Sequence, residues 1–403
     1  MFKLFQTIPF PIWVLALAHG SVDMAGGAFY VALPFIKAKF GLAYAEVTAI
    51  VLVQNLTSSI VQPLFGYLSD RKPRPWLMPV GCLVLGLTLP TIFFAPNYYF
   101  LFLLTAINGL GSAAFHPQAA KTVSLLSGAA KGKALSIFSV GGSVGIAVGS
   151  IFLASLLLGG PGSRLLLYSL PYILVSLALF RLVARLPRLE PQHRRQGSAR
   201  LKSYVNWPLL AFMGMVLTRA TIASGISTFV PLYYISYLNG SPLYASFLLS
   251  VFQSAGVIGT LLGGIMSDRY GSRQVMIFSI LPIAPLLYFF RIVSDIWVFA
   301  VLAASSILLA ATATSGLVLI QKMMPHNLGM ASGLNLGLGS GLGAVGVLSM
   351  GWIADTWGVP RVFDLLSWLP VLGFVLTLFI REPADKTSKQ AGLRHNCSCL
   401  KES

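Results

Sequence analysis

Acidic side chains are scarce in this sequence. Its 403 residues include 11 aspartates and glutamates against 28 lysines and arginines, and charged residues make up only 10% of the chain. In soluble domains about a quarter of the residues are charged. The shortage of charge, a hydrophobic content of 56% and a mean hydropathy of +0.79 exclude an ordinary soluble protein. Most of the chain is therefore expected to lie in a lipid bilayer.

Cysteines and the motifs of common enzymes are also few or missing. Cys82, Cys397 and Cys399 are too few for a disulfide framework, and no histidines at zinc-ligand spacing accompany the last two. The sequence has no Walker-type nucleotide loop, no HExxH motif and no nucleophile elbow at a strand-to-helix turn. These absences exclude an ATP-driven motor and the usual hydrolases. We expect no enzyme activity, no cofactor and no metal.

Long apolar stretches recur along the whole chain, and each reaches the roughly 17–25 residues that a helix needs to cross a bilayer. Helices are expected because every backbone polar group in the hydrocarbon must be satisfied internally. The sequence therefore predicts an all-α integral membrane protein. Its twelve predicted spans cover residues 9–36, 46–68, 76–95, 98–117, 133–159, 163–186, 206–236, 243–267, 275–292, 296–321, 330–354 and 360–380.

The basic residues are distributed unevenly between the two sides of the predicted membrane. With both termini on one side, 22 of the 28 lysines and arginines lie in segments on that side, and only Arg219 lies inside a span. This bias predicts that both termini are cytoplasmic. We expect a multi-pass protein of the bacterial inner membrane, in contact with lipid and without a nucleic-acid partner, because nucleic-acid binders concentrate charge on a soluble face.

The two halves of the chain repeat each other. GYLSDR at 66–71 and GIMSDR at 264–269 share Gly-x-x-Ser-Asp-Arg at an offset of 198 positions. Glycines at four-residue spacing, which places them on one helix face for close packing, occur in the fifth and eleventh spans at Gly141, Gly145, Gly149, Gly333, Gly337 and Gly341. We predict two six-helix bundles over 1–186 and 206–381, a basic cytoplasmic linker over 187–205 and a cytoplasmic tail over 382–403.

These motifs resemble the major facilitator superfamily, and within it the fosmidomycin-resistance type of bacterial transporter. The resemblance rests on the two repeated loops, on His19 and Asp23 in the first span, and on three further stretches: SDRKPRPWLMPVG (69–81), FHPQAAK (115–121) and SIFSVGGSVGIAVGS (136–150). It implies a monomeric secondary transporter made of two pseudo-symmetric bundles. The resembled family has Gly-Pro in the fifth span, whereas Ser150 follows Gly149 here.

The resemblance also implies a conformational lock on the cytoplasmic side, formed by the repeated loops. Its residues would be Gly66, Asp70, Arg71, Lys121, Gly264, Asp268 and Arg269. We expect Gly66 and Gly264 to permit close approach of the helices, the two aspartates to cap neighbouring helices, and Lys121 to pair with Asp70.

His19 and Asp23 are ionisable residues inside an apolar span, one helical turn apart on the same face. A carboxylate at mid-bilayer costs at least about 2.5–3.5 kcal/mol, so such residues are usually functional. We predict that Asp23 is the proton-coupling carboxylate and that His19 assists it, since histidine changes charge near neutral pH. The alternative is that the two side chains only satisfy neighbouring helices.

Arg219 lies near the centre of the seventh span and, shifted by 198, falls within one turn of Asp23 in the repeat. It is predicted to pair with Asp23 across a central cavity or to bind an anionic substrate through its guanidinium; a fixed structural ion pair is the third possibility. Asn108, His116 and Tyr30 are further candidates for substrate contact. For Asn108 the alternative is hydrogen bonding between helices, for His116 a bond to a carbonyl freed by Pro117, and for Tyr30 a place in the interfacial aromatic belt.

The predicted function is secondary active transport of a small molecule by alternating access, as proton-coupled export of a drug-like or anionic compound. The alternative is proton symport or facilitated uptake of a small metabolite anion. A more remote alternative is a transporter-like membrane sensor, because a fold does not fix a function.

Overall fold

The computed structural model describes residues 8–71, 74–127, 131–159, 162–186, 206–324, 331, 334–335 and 339–382. The predicted linker at 187–205 and the glycines Gly333 and Gly337 lie outside the described residues, as does the predicted tail beyond Glu382. Asp70 and Arg71 lie at the end of a described helix, but their side chains are not described.

The first half of the chain consists of seven α-helices that make six membrane-crossing segments. They are α1 (Phe10–Phe40), α2 (Tyr44–Ser59), α3 (Gln62–Arg71), α4 (Leu77–Thr91), α5 (Tyr98–Leu126), α6 (Lys131–Leu157) and α7 (Leu170–Arg185). The second and third helices together form one segment, interrupted at Ile60 and Val61 just before Pro63. Short 3₁₀ turns extend α4 (Ile92–Phe94) and precede α7 (Ser163–Ser169).

The second half repeats this pattern. Its helices are α8 (Trp207–Pro231), which continues into a π-helix (Leu232–Tyr237), then α9 (Pro242–Tyr270), α10 (Ser272–Ile280), α11 (Ile283–Phe289), α12 (Ile296–Met323), α13 (Gly339–Trp357) and α14 (Val359–Leu378). Eleven segments of the described chain are long and apolar enough to cross a membrane. The remaining predicted span, the eleventh at 330–354, falls partly outside the described residues, and most of its described part belongs to α13.

Helix packing shows the same twofold repeat. The first helix of each half lies along the fifth segment of that half, α1 along α6 and α8 along α13, and the second segment lies along the fourth. Between the halves, α2 packs on α13 and α6 packs on α9, which are equivalent pairs under the repeat. The predicted fold class, two pseudo-symmetric six-helix bundles, is confirmed.

The α1–α6 contact is a close backbone approach. A Cβ atom added at Gly141, Gly145 or Gly149 would lie 2.0–2.2 Å from a backbone carbonyl oxygen of α1. Real side chains cannot occupy that space, so three glycines one turn apart let the two helices touch along their backbones. Gly341 of α13 has more room, since its nearest neighbour is the side chain of Ile60 at 3.4 Å.

The glycines of the repeated loops do not make the predicted close approach. A Cβ at Gly66 would meet Pro117 at 3.7 Å and one at Gly264 would meet Thr314 at 3.9 Å, which are ordinary van der Waals distances. In this conformation the helices beside these two glycines stand too far apart for the absence of a side chain to matter.

On the side of the membrane opposite the chain ends, the two halves are joined by a carboxylate. The oxygens of Asp355, at the end of α13, accept hydrogen bonds from the backbone N–H groups of Tyr44 and Ala45, both at 2.8 Å. These are unsatisfied donors in the first turn of α2, where the helix dipole also favours negative charge. Asp355 therefore caps a helix of the other half. Deeper in the protein, Ser250 of α9 donates to the Ala147 carbonyl of α6 at 2.8 Å.

On the side of the chain ends, the cap inside the second half comes from Glu382. Its carboxylate accepts from the backbone N–H groups of Ser272 and Arg273 at 3.2 and 2.9 Å, and it pairs with Lys322 at 2.8 Å. Partial burial alone would raise the pKa of Glu382, but the Lys322 ammonium and the two N–H groups outweigh it and hold that pKa below its usual value. The predicted capping aspartate, Asp268, is instead exposed and has no ion pair or hydrogen bond with any described residue.

We expect Gly145→Ala to destabilise the protein, because the new methyl group would lie 2.0 Å from the Gly20 carbonyl oxygen. Overpacking of this kind costs about 1–3 kcal/mol, which should lower the thermal unfolding temperature of the purified protein in detergent. Gly264→Ala is the matched control, since its methyl has room and alanine favours a helix. Equal unfolding temperatures for the two variants would contradict the close approach.

We expect Asp355→Asn to loosen the closure opposite the chain ends, because the amide keeps one acceptor oxygen and loses the charge. Loss of a helix cap costs about 0.5–2 kcal/mol. The readout is labelling of Ser58→Cys, in a chain without native cysteines, by an impermeant maleimide added from that side; Ser58 lines the central cavity described below. Labelling should become faster. Asp364→Asn is the control, because Asp364 pairs only within its own half, with Arg291 and Arg361. Equal labelling rates in the two variants would rule out a closing role for Asp355.

Candidate functional site: a histidine–aspartate–histidine cluster

Three ionisable side chains meet in the middle of the first half. His19 and Asp23 lie one turn apart on α1, and His116 approaches from α5. His19 Nε2 lies 3.2 Å from one oxygen of Asp23, and His116 Nε2 lies 3.1 Å from the other. The three side chains are 12%, 19% and 25% exposed, respectively, so the cluster is largely but not wholly removed from solvent. We call these residues the His–Asp–His cluster.

The other nitrogen of each imidazole faces a backbone carbonyl. His19 Nδ1 lies 2.7 Å from the Phe138 oxygen of α6, and His116 Nδ1 lies 2.9 Å from the Ser112 oxygen. Carbonyl oxygens only accept, so both Nδ1 atoms must carry the hydrogen. The His19 ring also stacks on the Phe138 ring, with centroids 4.0 Å apart. Both imidazoles are thereby held with Nε2 directed at Asp23.

This arrangement fixes the number of protons that the cluster can hold. A carboxylate oxygen and a neutral Nε2 are both acceptors, so each contact is a hydrogen bond only when a proton lies between the two atoms. With both protons present the cluster carries one net positive charge. With both removed, the Asp23 carboxylate faces two nitrogen lone pairs at 3.1–3.2 Å, which is repulsive. Each of the two contacts is therefore favourable only when a proton lies between the imidazole nitrogen and the carboxylate oxygen.

A cavity of about 110 Å³ opens beside Asp23. Residues of α1, α2, α4 and α5 line it: Val22, Asp23, Gly26, Phe29, Tyr30, Gln54, Asn55, Ser58, Leu85 and Ser112. At about 30 Å³ per water molecule it has room for only a few waters, and typical ligand pockets are about 300–1,000 Å³. In this conformation the cavity is large enough for water, while a larger solute needs the cavity to widen. Tyr30, a predicted substrate contact, does lie in the lining.

Arg219 does not form the predicted ion pair with Asp23 here. Both oxygens of Asp23 face histidines, and no described residue pairs with the Arg219 guanidinium. Flanking residues show why: Ala220 and Thr221 pack on glycines of α13, and Thr218 packs beside Gly373 of α14. This stretch of α8 is held within its own half, whereas the Asp23 carboxylate turns toward α5.

Asn108 is engaged between helices instead of facing the cavity. It is fully buried; its oxygen accepts from Gln54 at 3.0 Å, and its nitrogen donates to Thr88 Oγ1 at 2.8 Å and to the Leu85 carbonyl at 3.3 Å. Every partner is protein, so in this conformation Asn108 ties α2, α4 and α5 together and has no group left for a substrate.

His116 occupies a different place from the predicted one. We expected the span to end at Pro117 and His116 to line the cavity mouth or satisfy a freed carbonyl. In the structure α5 runs through Pro117 to Leu126, so His116 lies well inside the span and bonds Asp23. The proline was misleading because membrane helices tolerate it in their interior.

The described lock residues make contacts close to the repeated loops. Lys121 donates to the Ser69 carbonyl at 3.2 Å, beside the first repeated loop. In the second loop Arg269 is exposed, with its guanidinium 5.2 Å from the Tyr270 ring centroid. Neither contact crosses between the halves.

Gly142 is a site residue that the sequence analysis missed. It lies on α6 directly over the cluster, where a Cβ would come within 2.5 Å of both Asp23 Oδ2 and His19 Cε1. The four-residue glycine spacing in the sequence includes its neighbour Gly141 but not Gly142, so this spacing gave no signal for Gly142. The three cluster side chains also place potential metal-ligand atoms within 4.8 Å of one another, and the separations of 3.1–3.2 Å from Asp23 to the two histidines are hydrogen-bond lengths.

A sequence profile of the Major Facilitator Superfamily matches residues 15–237 and 209–396, which together span most of the chain. The chain belongs to this superfamily. It is 29% identical over 383 residues to the fosmidomycin resistance protein of Escherichia coli (strain K12), covering 92% of this chain and 93% of that protein. It is 28% identical over 394 residues to the uncharacterized MFS-type transporter YfnC of Bacillus subtilis (strain 168), covering 95% of each.

Solved structures agree with this membership at the level of fold. The nucleoside transporter NupG superposes with a TM-score of 0.78 over 92% of this chain and 99% of that one, at 14% identity. A bacterial homologue of the human lysosomal transporter Spinster, in an inward-facing and occupied conformation, gives 0.69 over 92% and 94%, at 16% identity. As a superfamily member the chain is a multi-pass membrane transporter of small molecules and not an enzyme.

We expect Gly142→Ala to impair transport without unfolding the protein, because the methyl group would displace His19 or the Asp23 carboxylate. Gly26→Ala is the matched control: Gly26 lines the same cavity, and a Cβ there meets nothing within 4 Å. Both variants are compared for thermal stability and for solute flux in proteoliposomes driven by a pH gradient. Unimpaired flux in Gly142→Ala would show that the contacts of the cluster are not needed for transport.

Proposed function

We propose that this transporter couples proton movement to export of a small organic molecule, and that His19, Asp23 and His116 form its proton site. The observation that carries the proposal is the double contact of Asp23 with two imidazoles whose Nδ1 atoms are already committed to carbonyls. A carboxylate at this depth is unfavourable unless it is compensated. Two protons, one between each imidazole and Asp23, would offset the charge of this carboxylate, and their loss would leave that charge without an offset.

The coupling would follow from this change of charge. The loaded cluster attracts α1 and α5 toward each other through the hydrogen bond between His116 and Asp23. Unloading turns both contacts into repulsion between lone pairs, so the cavity beside Asp23 would widen as protons leave. Among the described residues, the titratable groups in contact with Asp23 are His19 and His116, so the proton count rests on these three groups.

The orientation is part of the same proposal. The excess of basic residues on the side of the chain ends favours cytoplasmic termini in a bacterial inner membrane. The Asp355 cap then closes the outer side, and the cluster communicates with the cytoplasm in the conformation described here. The repeated loops, including Asp70, Asp268 and Lys121, would close the cytoplasmic side in the alternate state, with the monomer as the transporting unit.

Export is favoured by the names of two relatives. The Escherichia coli protein is a fosmidomycin resistance protein, and the multidrug resistance protein MdtG of Escherichia coli (strain K12 / DH10B) is 28% identical over 196 residues, about half of each chain. Uptake of an anion is the second candidate, favoured by the uncompensated Arg219. The two are separated by growth of cells on fosmidomycin, since expression of an exporter raises tolerance and expression of an importer lowers it.

Asp23→Asn should abolish uphill transport while leaving exchange intact, because the amide keeps the shape of the side chain but cannot be loaded and unloaded. In everted membrane vesicles energised by a pH gradient, we expect the wild-type chain to accumulate fosmidomycin and Asp23→Asn only to equilibrate it. Asp364→Asn, an acid on the outer side, should behave as the wild type. Continued accumulation against a gradient by Asp23→Asn would overturn the proton-site assignment.

A further inference from the structure

Arg219 is a partly buried cation without a counter-charge among the described residues. Its Nε atom is inaccessible to solvent and lacks a hydrogen-bond partner, and no described residue forms an ion pair with its guanidinium. The sequence explains why. Of the 11 acidic residues only Asp23 lies near the centre of a span, and both Asp23 oxygens face the histidines. The undescribed residues between Met324 and Gly339 include no aspartate or glutamate.

A second polar side chain of the same half is also buried without hydrogen-bond partners. Asn335 is 1% exposed, yet neither its amide nitrogen nor its oxygen has a hydrogen-bond partner. Its position is fixed by Gly316 of α12, where an added Cβ would lie 3.4 Å from Asn335 Oδ1 and 3.8 Å from Met215 Cε. Met215 is one helical turn before Arg219 on α8. Leaving both atoms of a buried amide unpaired is unfavourable, as is burying an unpaired guanidinium.

Both groups can be satisfied by one kind of ligand. A guanidinium offers several N–H donors in a plane that matches an oxyanion, and an amide nitrogen adds another donor. No described acid of the second half pairs with these donors, so an oxyanion is the complementary charge. In addition, α8 lies against α1 at the junction of the halves, and the 198-residue repeat relates Arg219 to position 21, close to Asp23 in depth.

We propose that Arg219, supported by Asn335, binds an oxyanion group of the transported solute, a carboxylate or a phosphate. This rests on the proposed transport function and narrows its substrate class to anions. The two halves then have separate tasks: the first holds the protons and the second holds the anion. Arg219 serves the solute in this arrangement and is not the partner of Asp23.

The test measures binding by the purified full-length protein in detergent. Benzoate, phenyl phosphate and the neutral benzamide are added at about 10 mM, enough to reveal millimolar dissociation constants, and binding is read from the rise in unfolding temperature. We expect one or both anions to stabilise the wild type and benzamide to do so far less. The stronger of the two anions identifies the oxyanion as carboxylate or phosphate.

The variants assign the effect to the site. Arg219→Gln should weaken binding of the anion about tenfold or more, the range expected for a lost charged hydrogen bond. Arg219→Lys should retain part of it and guards against misfolding of the glutamine variant. Asn335→Asp should also weaken it, by charge repulsion. Arg361→Gln, which removes an exposed arginine outside the cavity, should leave it unchanged.

Three results would overturn the proposal: no anion-dependent stabilisation of the wild type, equal stabilisation of wild type and Arg219→Gln, or equal effects of benzoate and benzamide. A changed pH profile of transport in Arg219→Gln with unaltered anion affinity would instead make Arg219 the partner of Asp23. None of these outcomes depends on the Asp23→Asn result, so the anion-site proposal and the proton-site proposal can be refuted separately.

Discussion

The burial of the Asp23 carboxylate is the constraint on which this structure depends most. An acid in the middle of a membrane-spanning helix must be neutralised or surrounded by donors, and here the donors come from two directions. One histidine lies a turn away on the same helix, and the other is brought in by α5. Backbone carbonyls of α5 and α6 hold both rings, so three helices must be in place for one acid to be tolerated.

The contact between α1 and α6 makes this arrangement possible. Because glycines let the two backbones touch, the Phe138 carbonyl comes within 2.7 Å of His19, and Gly142 lies directly over the cluster. A side chain at these positions would push α6 outward and leave His19 without its second partner. Helix packing and the protonation chemistry of the site are thus set by the same residues.

Sequence reasoning could predict the helical fold, the internal repeat and the pairing of His19 with Asp23, because these follow from hydropathy, offset and a four-residue spacing. It could not predict the role of His116, since contact between α1 and α5 is a tertiary property and Pro117 suggested that the span ended there. We expected the Asp23–Arg219 pair because the repeat relates the two positions, and we took this relation as evidence of contact. A repeat relates positions by symmetry, and equivalent positions on two helices need not face each other.

Capping residues showed the same difficulty. The acids in the repeated loops were the visible candidates, yet Glu382 caps α10 and Asp355 caps α2, each far away in sequence.

The two sides of the Asp355 contact depend on residue type to different degrees. Its acceptors belong to one side chain, whereas its donors are main-chain N–H groups that every residue except proline possesses. For these two hydrogen bonds alone, positions 44 and 45 can hold any residue except proline, whereas position 355 must keep its carboxylate.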